Sequence, residues 1–230
     1  MVDLALAFYL VFVLPGIQIW KSVRKSEQPA RTRMQRYIHS MRMIVLLLAA
    51  LVFACWWHGH TPTELGLDMP TSGLALWCLV GAALALPAMH FWGVLQSGKM
   101  EPARRAAIEE KMRGNQSMPR TREELRVFLI LSLFIGFGWE VLYRGFVTLA
   151  LAPLIGTWGA VAVAAAAYGA GHGYHGPRHL LSSIGMALLF TVAYLLTGSL
   201  WWLIVVHVGL PVMGAITYYK ILRQIPAKPQ

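Results

Sequence analysis

The sequence predicts an all-α protein, a polytopic integral membrane helix bundle of about seven transmembrane helices, N-outside and C-inside. Three observations predict it. The 230 residues are 57% hydrophobic and 13% charged, with a mean hydropathy of +0.55, where soluble domains carry about 25% charged residues. The apolar residues fall in blocks of about 15–25, the length that crosses a hydrocarbon core of about 30 Å. The net charge of +10, from 20 Lys+Arg against 10 Asp+Glu, is confined to alternate loops.

Lys21, Arg24, Lys25, Arg31, Arg33, Arg36 and Arg42 follow the first block, eight more basic residues lie between Lys99 and Arg126, and Lys220, Arg223 and Lys228 lie near the C-terminus. By contrast, His58 to Gly73 holds Glu64 and Asp68 and no Lys or Arg. This is the positive-inside asymmetry. It sets orientation and lets the inner loops meet anionic lipid headgroups, so a pI near 10 implies no nucleic-acid partner.

Apolar length and breaker residues set the spans at about 3–20, 42–57, 73–97, 127–152, 156–172, 179–197 and 200–219. The first has its positive charge after the apolar run, so it is expected to be a retained span and not a signal peptide. Cys55 and Cys78 fall at matching ends of neighbouring spans. A disulfide is conceivable there, but such cysteines are more often small packing residues, and no zinc spacing is present. Between the third and fourth spans, Pro102 to Lys111 suggests a short surface helix, with Glu109 and Glu110 near Arg113 for i,i+4 pairing. The chain therefore divides into a three-helix membrane region (1–98), a basic cytoplasmic linker (99–126), a four-helix core (127–220) and a cytoplasmic tail (221–230).

Ionisable residues inside spans are costly and are functional candidates by default. Five are enclosed by apolar blocks: His90, Glu140, Arg144, His172 and His207. Glu140 and Arg144 stand four apart, acid first, the better orientation for a pair on one helix face. Such a pair is also a plain structural device, because each charge neutralises the other. His172 ends a span rich in Ala and Gly, where helices can approach closely. His175 and His179 are weaker candidates, placed by Pro177 and Arg178 in a turn. His207 lies in a strongly apolar helix and needs a polar partner from another span.

One acid and two histidines on three spans is the inventory of a water-activating hydrolytic site. Glu140, His172 and His207 are equally a His₂Glu set that a divalent metal such as zinc accepts. No other cofactor is expected.

In this order and with these flanks, residues 125–215 resemble the CAAX prenyl protease and bacteriocin-processing family of intramembrane proteases, also called Abi. Glu140-x-x-x-Arg144-Gly145-Phe146 is similar to the second half of that family's Glu-Glu-x-x-x-Arg motif. Tyr168-x-x-x-His172 is similar to Phe-x-x-x-His, and Gly198-Ser199-Leu200-Trp201 followed by His207 to the third motif. Trp139 stands where the family has its first glutamate, and Pro211 where it has Asn or Asp. The resemblance implies an intramembrane endopeptidase, in a bacterial inner membrane, cleaving a membrane protein or peptide substrate. It implies Glu140, His172 and His207 as catalytic groups, with Arg144 orienting Glu140 and Tyr168 in support. The two departures leave a second implication open: a non-catalytic member acting as a bacteriocin self-immunity factor or a membrane-protein-binding scaffold.

Overall fold

A computed structural model of the chain describes residues 1–24, 31–97, 101, 110 and 117–224. Regular structure among them is entirely helical. Helix α1 is Val2–Val23, α2 is Arg33–His58 and α3 is Gly73–Ser97. Then α4, Arg122–Trp139, runs through the π-helical turns of Glu140–Val147 into α5, Thr148–Ala170. The last two helices are α6, Pro177–Thr197, and α7, Trp201–Gln224. Among the described residues, six helical units are long and apolar enough to cross a membrane, and the protein is an integral membrane helix bundle. Most of the surface helix expected over 102–111, with its Glu109/Glu110–Arg113 pairing, lies outside the described residues. Cys55 and Cys78 are both free thiols.

One unit, Arg122–Ala170, is 49 residues long. As a straight rod it would extend about 74 Å, more than twice the hydrocarbon thickness. It does not run straight. Gly156 has φ 73 and ψ 161, a conformation that costs any residue bearing a Cβ. Tyr143 and Tyr168 would stand about 37 Å apart on one continuous helix, yet their ring centroids are 5.3 Å apart. The chain therefore reverses at Gly156 into two antiparallel arms, which is the break expected between the fourth and fifth spans. Glu140 and His172 each lie sixteen positions from Gly156, on opposite arms, and so at similar depth.

The final helix starts deep in the bundle. The loop between α2 and α3 folds inward: Leu200 N–H donates to the Gly66 carbonyl at 2.9 Å and Trp201 Nε1–H to the Leu67 carbonyl at 2.8 Å. A Cβ on Gly145 would lie 3.0 Å from the Leu65 carbonyl oxygen and 3.4 Å from Leu200 Cδ1. The turn before α7 thus sits at the level of Gly145 and not at the level of the Gly156 reversal, so His207, two turns further on, meets Glu140. At the loop's start, hydrogen bonds from the Thr61 backbone N–H and hydroxyl hold the Glu64 carboxyl below the usual carboxylate range.

Close approach of α7 to α4 depends on Gly136. A Cβ there would lie 2.8 Å from Val208 N and 3.1 Å from the His207 carbonyl carbon, and backbone atoms on a packed helix cannot step aside. Gly136→Ala is expected to cost about 1–3 kcal/mol by overpacking and to draw His207 away from Glu140. Thermal unfolding in detergent checks the first effect; an unchanged midpoint would show that α7 has room to move.

The N-terminal helix is tied at three depths. The Asp3 carboxylate faces His58 Nδ1 at 3.0 Å and His60 Nε2 at 2.9 Å. Tyr143 donates its hydroxyl to the Leu10 carbonyl at 2.8 Å, inside the π turn Tyr9–Val13. Tyr174 N–H donates to Ser22 Oγ at 2.7 Å. Helix α1 therefore packs beside the two arms and forms one wall of the interior.

Candidate active site

Glu140 and Arg144 are each 1% exposed, in a medium where a lone charge is prohibitively costly. They neutralise each other: Arg144 Nη1 donates to Glu140 Oε1 at 2.5 Å. The helix around them is wound as a π-helix over Glu140–Val147, a form that recurs at functional sites. Thr148 closes its end by donating its hydroxyl to the Arg144 and Gly145 carbonyls.

His207 finds the partner from another span that its sequence setting requires. Its Nδ1 lies 2.6 Å from the same Glu140 Oε1, and its Nε2 lies 3.1 Å from the Tyr168 hydroxyl. The helix is loosened at this residue, because Pro211 lacks the N–H that an α-helix would bond to the carbonyl of His207, four residues back. Glu140 Oε2 and Arg144 Nε are buried without a partner among the described residues.

Tyr168 is the hub of the arrangement. One side of its ring carries the Arg144 guanidinium, with Cζ 4.9 Å from the centroid, a cation–π contact strengthened by burial. Phe190 flanks the same guanidinium at 5.7 Å. The His172 ring meets Tyr168 edge to face at 5.1 Å, and its Nδ1 is 3.1 Å from the Tyr168 carbonyl oxygen. That oxygen can only accept, so Nδ1 carries the proton when the imidazole is neutral, leaving Nε2 free.

Two cavities meet at this hub. One, of about 280 Å³, is lined by Arg144, Tyr168, His172 and His207, by His179, Ser182 and Ser183 of α6, and by apolar residues. The other, of about 100 Å³, lies against α1 and is lined by Leu14, Gln18, Trp139, Tyr143, Tyr168, Gly171 and His172. The structure thus gathers Glu140, Arg144, Tyr168, His172 and His207 as one cluster. Within it, His172 and His207 face one cavity, whereas Glu140 stands behind them with Oε1 committed to Arg144 and His207. His90 lies elsewhere, with Nδ1 3.5 Å from Thr217 Oγ1. His175 stacks on His179 at 5.1 Å, and only His179 of the two lines the cavity. Ser182 and Ser183 carry no sequence signal, because a hydroxyl in an apolar helix commonly back-bonds to its own helix, as Thr191 does to Ala187 O at 2.7 Å.

The donor set does not fit a metal ion. Among the described residues no three of His, Cys, Asp and Glu converge as metal ligands would, and Glu140 directs its one engaged oxygen to a guanidinium. No step below passes through a metal.

Residues 121–213 match the family model described as Rce1-like, type II CAAX prenyl endopeptidase. That is the family the three motifs resemble. The match leaves residues 1–120 and 214–230 outside it. Comparisons with curated proteins and with solved structures gave no match.

Proposed function

We propose that this protein is an intramembrane endopeptidase that hydrolyses a peptide bond of a membrane-associated protein or peptide, with water activated at His172. The observation that carries this reading is the meeting of His172 and His207 on one cavity, with Glu140 behind His207. His172, held through Nδ1 by the Tyr168 carbonyl, takes a proton from water at Nε2. The water oxygen attacks the scissile carbonyl, and His172 then returns the proton to the leaving amine. His207 acts as the doubly protonated imidazolium of an ion pair with Glu140: Nδ1–H donates to the carboxylate and Nε2–H to the Tyr168 oxygen. Tyr168 in turn aims its own O–H at the developing oxyanion, where a preorganised donor is worth most. Arg144 fixes Glu140. The role of Glu140 is thus to hold His207, not to touch water.

Tyr168→Phe tests the relay. Removing one oxyanion donor is expected to lower kcat by about 10²–10³-fold with KM nearly unchanged, measured on a membrane-anchored reporter peptide in proteoliposomes. Equal turnover in the variant and the wild type would remove Tyr168 from the mechanism.

A second reading is favoured by Trp139. The indole occupies the wall of the smaller cavity at the position where the family's first glutamate stands, and Pro211 supplies no side-chain hydrogen bond. On that reading the chain is a non-catalytic family member, a scaffold for another membrane protein or a bacteriocin self-immunity factor.

The reading also places the chain in a bacterial inner membrane, N-outside and C-inside, with its basic loops against anionic headgroups. Reporter fusions at Asp68 and Gln116 are expected on opposite faces; both on one face would contradict the topology.

A further inference from the structure

We propose that the larger cavity is an oxyanion-binding site that receives a carboxylate or phosphate group of a membrane-borne molecule between Arg144 and the face of α6 that carries His179, Ser182 and Ser183. The claim that the bound molecule is then cleaved rests on the peptidase reading; the binding claim stands on the cavity alone.

Four observations support it. The cavity, of about 280 Å³, is lined by Arg144, His172, His179, Ser182, Ser183 and His207 and, among the described residues, by no Asp or Glu. The Glu140 carboxylate is engaged by Arg144 and His207 through Oε1 and is not among the lining residues. Arg144 reaches the lining while 1% exposed, and its Nε–H has no partner among the described residues. A buried guanidinium donor without an acceptor is costly and is satisfied by a planar or tetrahedral oxyanion.

The α6 residues supply the rest. His179, Ser182 and Ser183 recur at i, i+3 and i+4, one face of a helix, and that face lines the cavity. Two hydroxyls can donate to an oxyanion at any pH, and His179 adds a ring N–H donor. Close helix packing fixes this wall: a Cβ on Gly169 would lie 2.7 Å from Ile184 N and Cα, so the backbone beside Ser183 rests directly on α5. The arrangement favours an oxyanion, which its donors can bond, over an ammonium group, which meets no carboxylate on this wall among the described residues.

The test uses the full chain in phosphatidylcholine nanodiscs, with the His172 and His179 ring signals followed by NMR during titration with inorganic phosphate, sodium acetate or sodium chloride at matched ionic strength. Saturable shifts with phosphate or acetate, absent with chloride, are expected. Ser182→Ala with Ser183→Ala should weaken binding by at least about tenfold, the loss of a hydrogen bond to a charged group, and His179→Gln should weaken it with the His172 signal as readout. Tighter acetate binding assigns a carboxylate terminus; tighter phosphate binding assigns a phosphorylated headgroup. Shifts as large with chloride, or titrations unchanged in the serine variant, would overturn the proposal. Peptide cleavage without anion-selective shifts overturns this inference and spares the peptidase reading; anion-selective shifts without cleavage do the reverse.

Discussion

Replacing His172 with alanine is expected to lower kcat by about 10²–10⁴-fold, the range for loss of a positioned general base, while the protein stays folded. The two halves of that expectation have separate causes. The imidazole is the group in the cluster that presents an uncommitted nitrogen to the cavity, because its Nδ1 is spent on the Tyr168 carbonyl. Its side chain is not among the buried core residues, so truncation leaves little unfilled space. Activity in the alanine variant equal to wild type would remove His172 as the base.

Replacing Glu140 with alanine is expected to act on the fold first, destabilising it by about 3–5 kcal/mol, the cost of leaving a buried charge without its partner. Arg144 is wholly enclosed, and Glu140 Oε1 is the acceptor for its Nη1. The loss also frees His207. Glu140→Met combined with Arg144→Leu should recover most of the stability, since well-packed apolar residues replace buried ion pairs at little cost, yet remain inactive because nothing holds His207. Chemical unfolding of both variants beside a cleavage assay separates the two roles. A double variant that is fully active would show that the pair does not serve catalysis, and a Glu140→Ala variant as stable as wild type would show that it does not serve structure.

Much of this was legible in one dimension. Apolar block length set the helices, and Gly156 after Pro153 marked the reversal, because a positive-φ residue interrupts a helix whatever surrounds it. The Glu140–Arg144 pair was legible because i,i+4 spacing places two side chains on one face by local geometry alone. The isolation of His207 in apolar sequence required a partner, and Glu140 is that partner. The depth of His207 was not legible, since a final helix starting level with the Gly156 reversal would not hold it beside Glu140 and His172. They meet because the turn at Gly198–Leu200 is sunk to the level of Gly145 by backbone hydrogen bonds to Gly66 and Leu67. A contact between segments more than a hundred residues apart leaves no periodic trace. The same holds for Gly136, whose importance lies in the backbone of Val208, and for Ser182 and Ser183, whose hydroxyls read identically whether they face a cavity or their own helix. The π-helical winding at Glu140 is a tertiary outcome too, in a segment with no residue that demands it.

The central claim is that the cavity shared by His172 and His207 adds water across a peptide bond within the membrane. The most direct measurement is cleavage of a membrane-anchored peptide by the purified full chain in proteoliposomes prepared in ¹⁸O-labelled water, with products resolved by mass spectrometry. The account predicts a new C-terminal carboxylate carrying one ¹⁸O atom, formed by wild type and not by His172→Ala. No labelled product from a panel of membrane-anchored peptides, or equal product from wild type and His172→Ala, would contradict it.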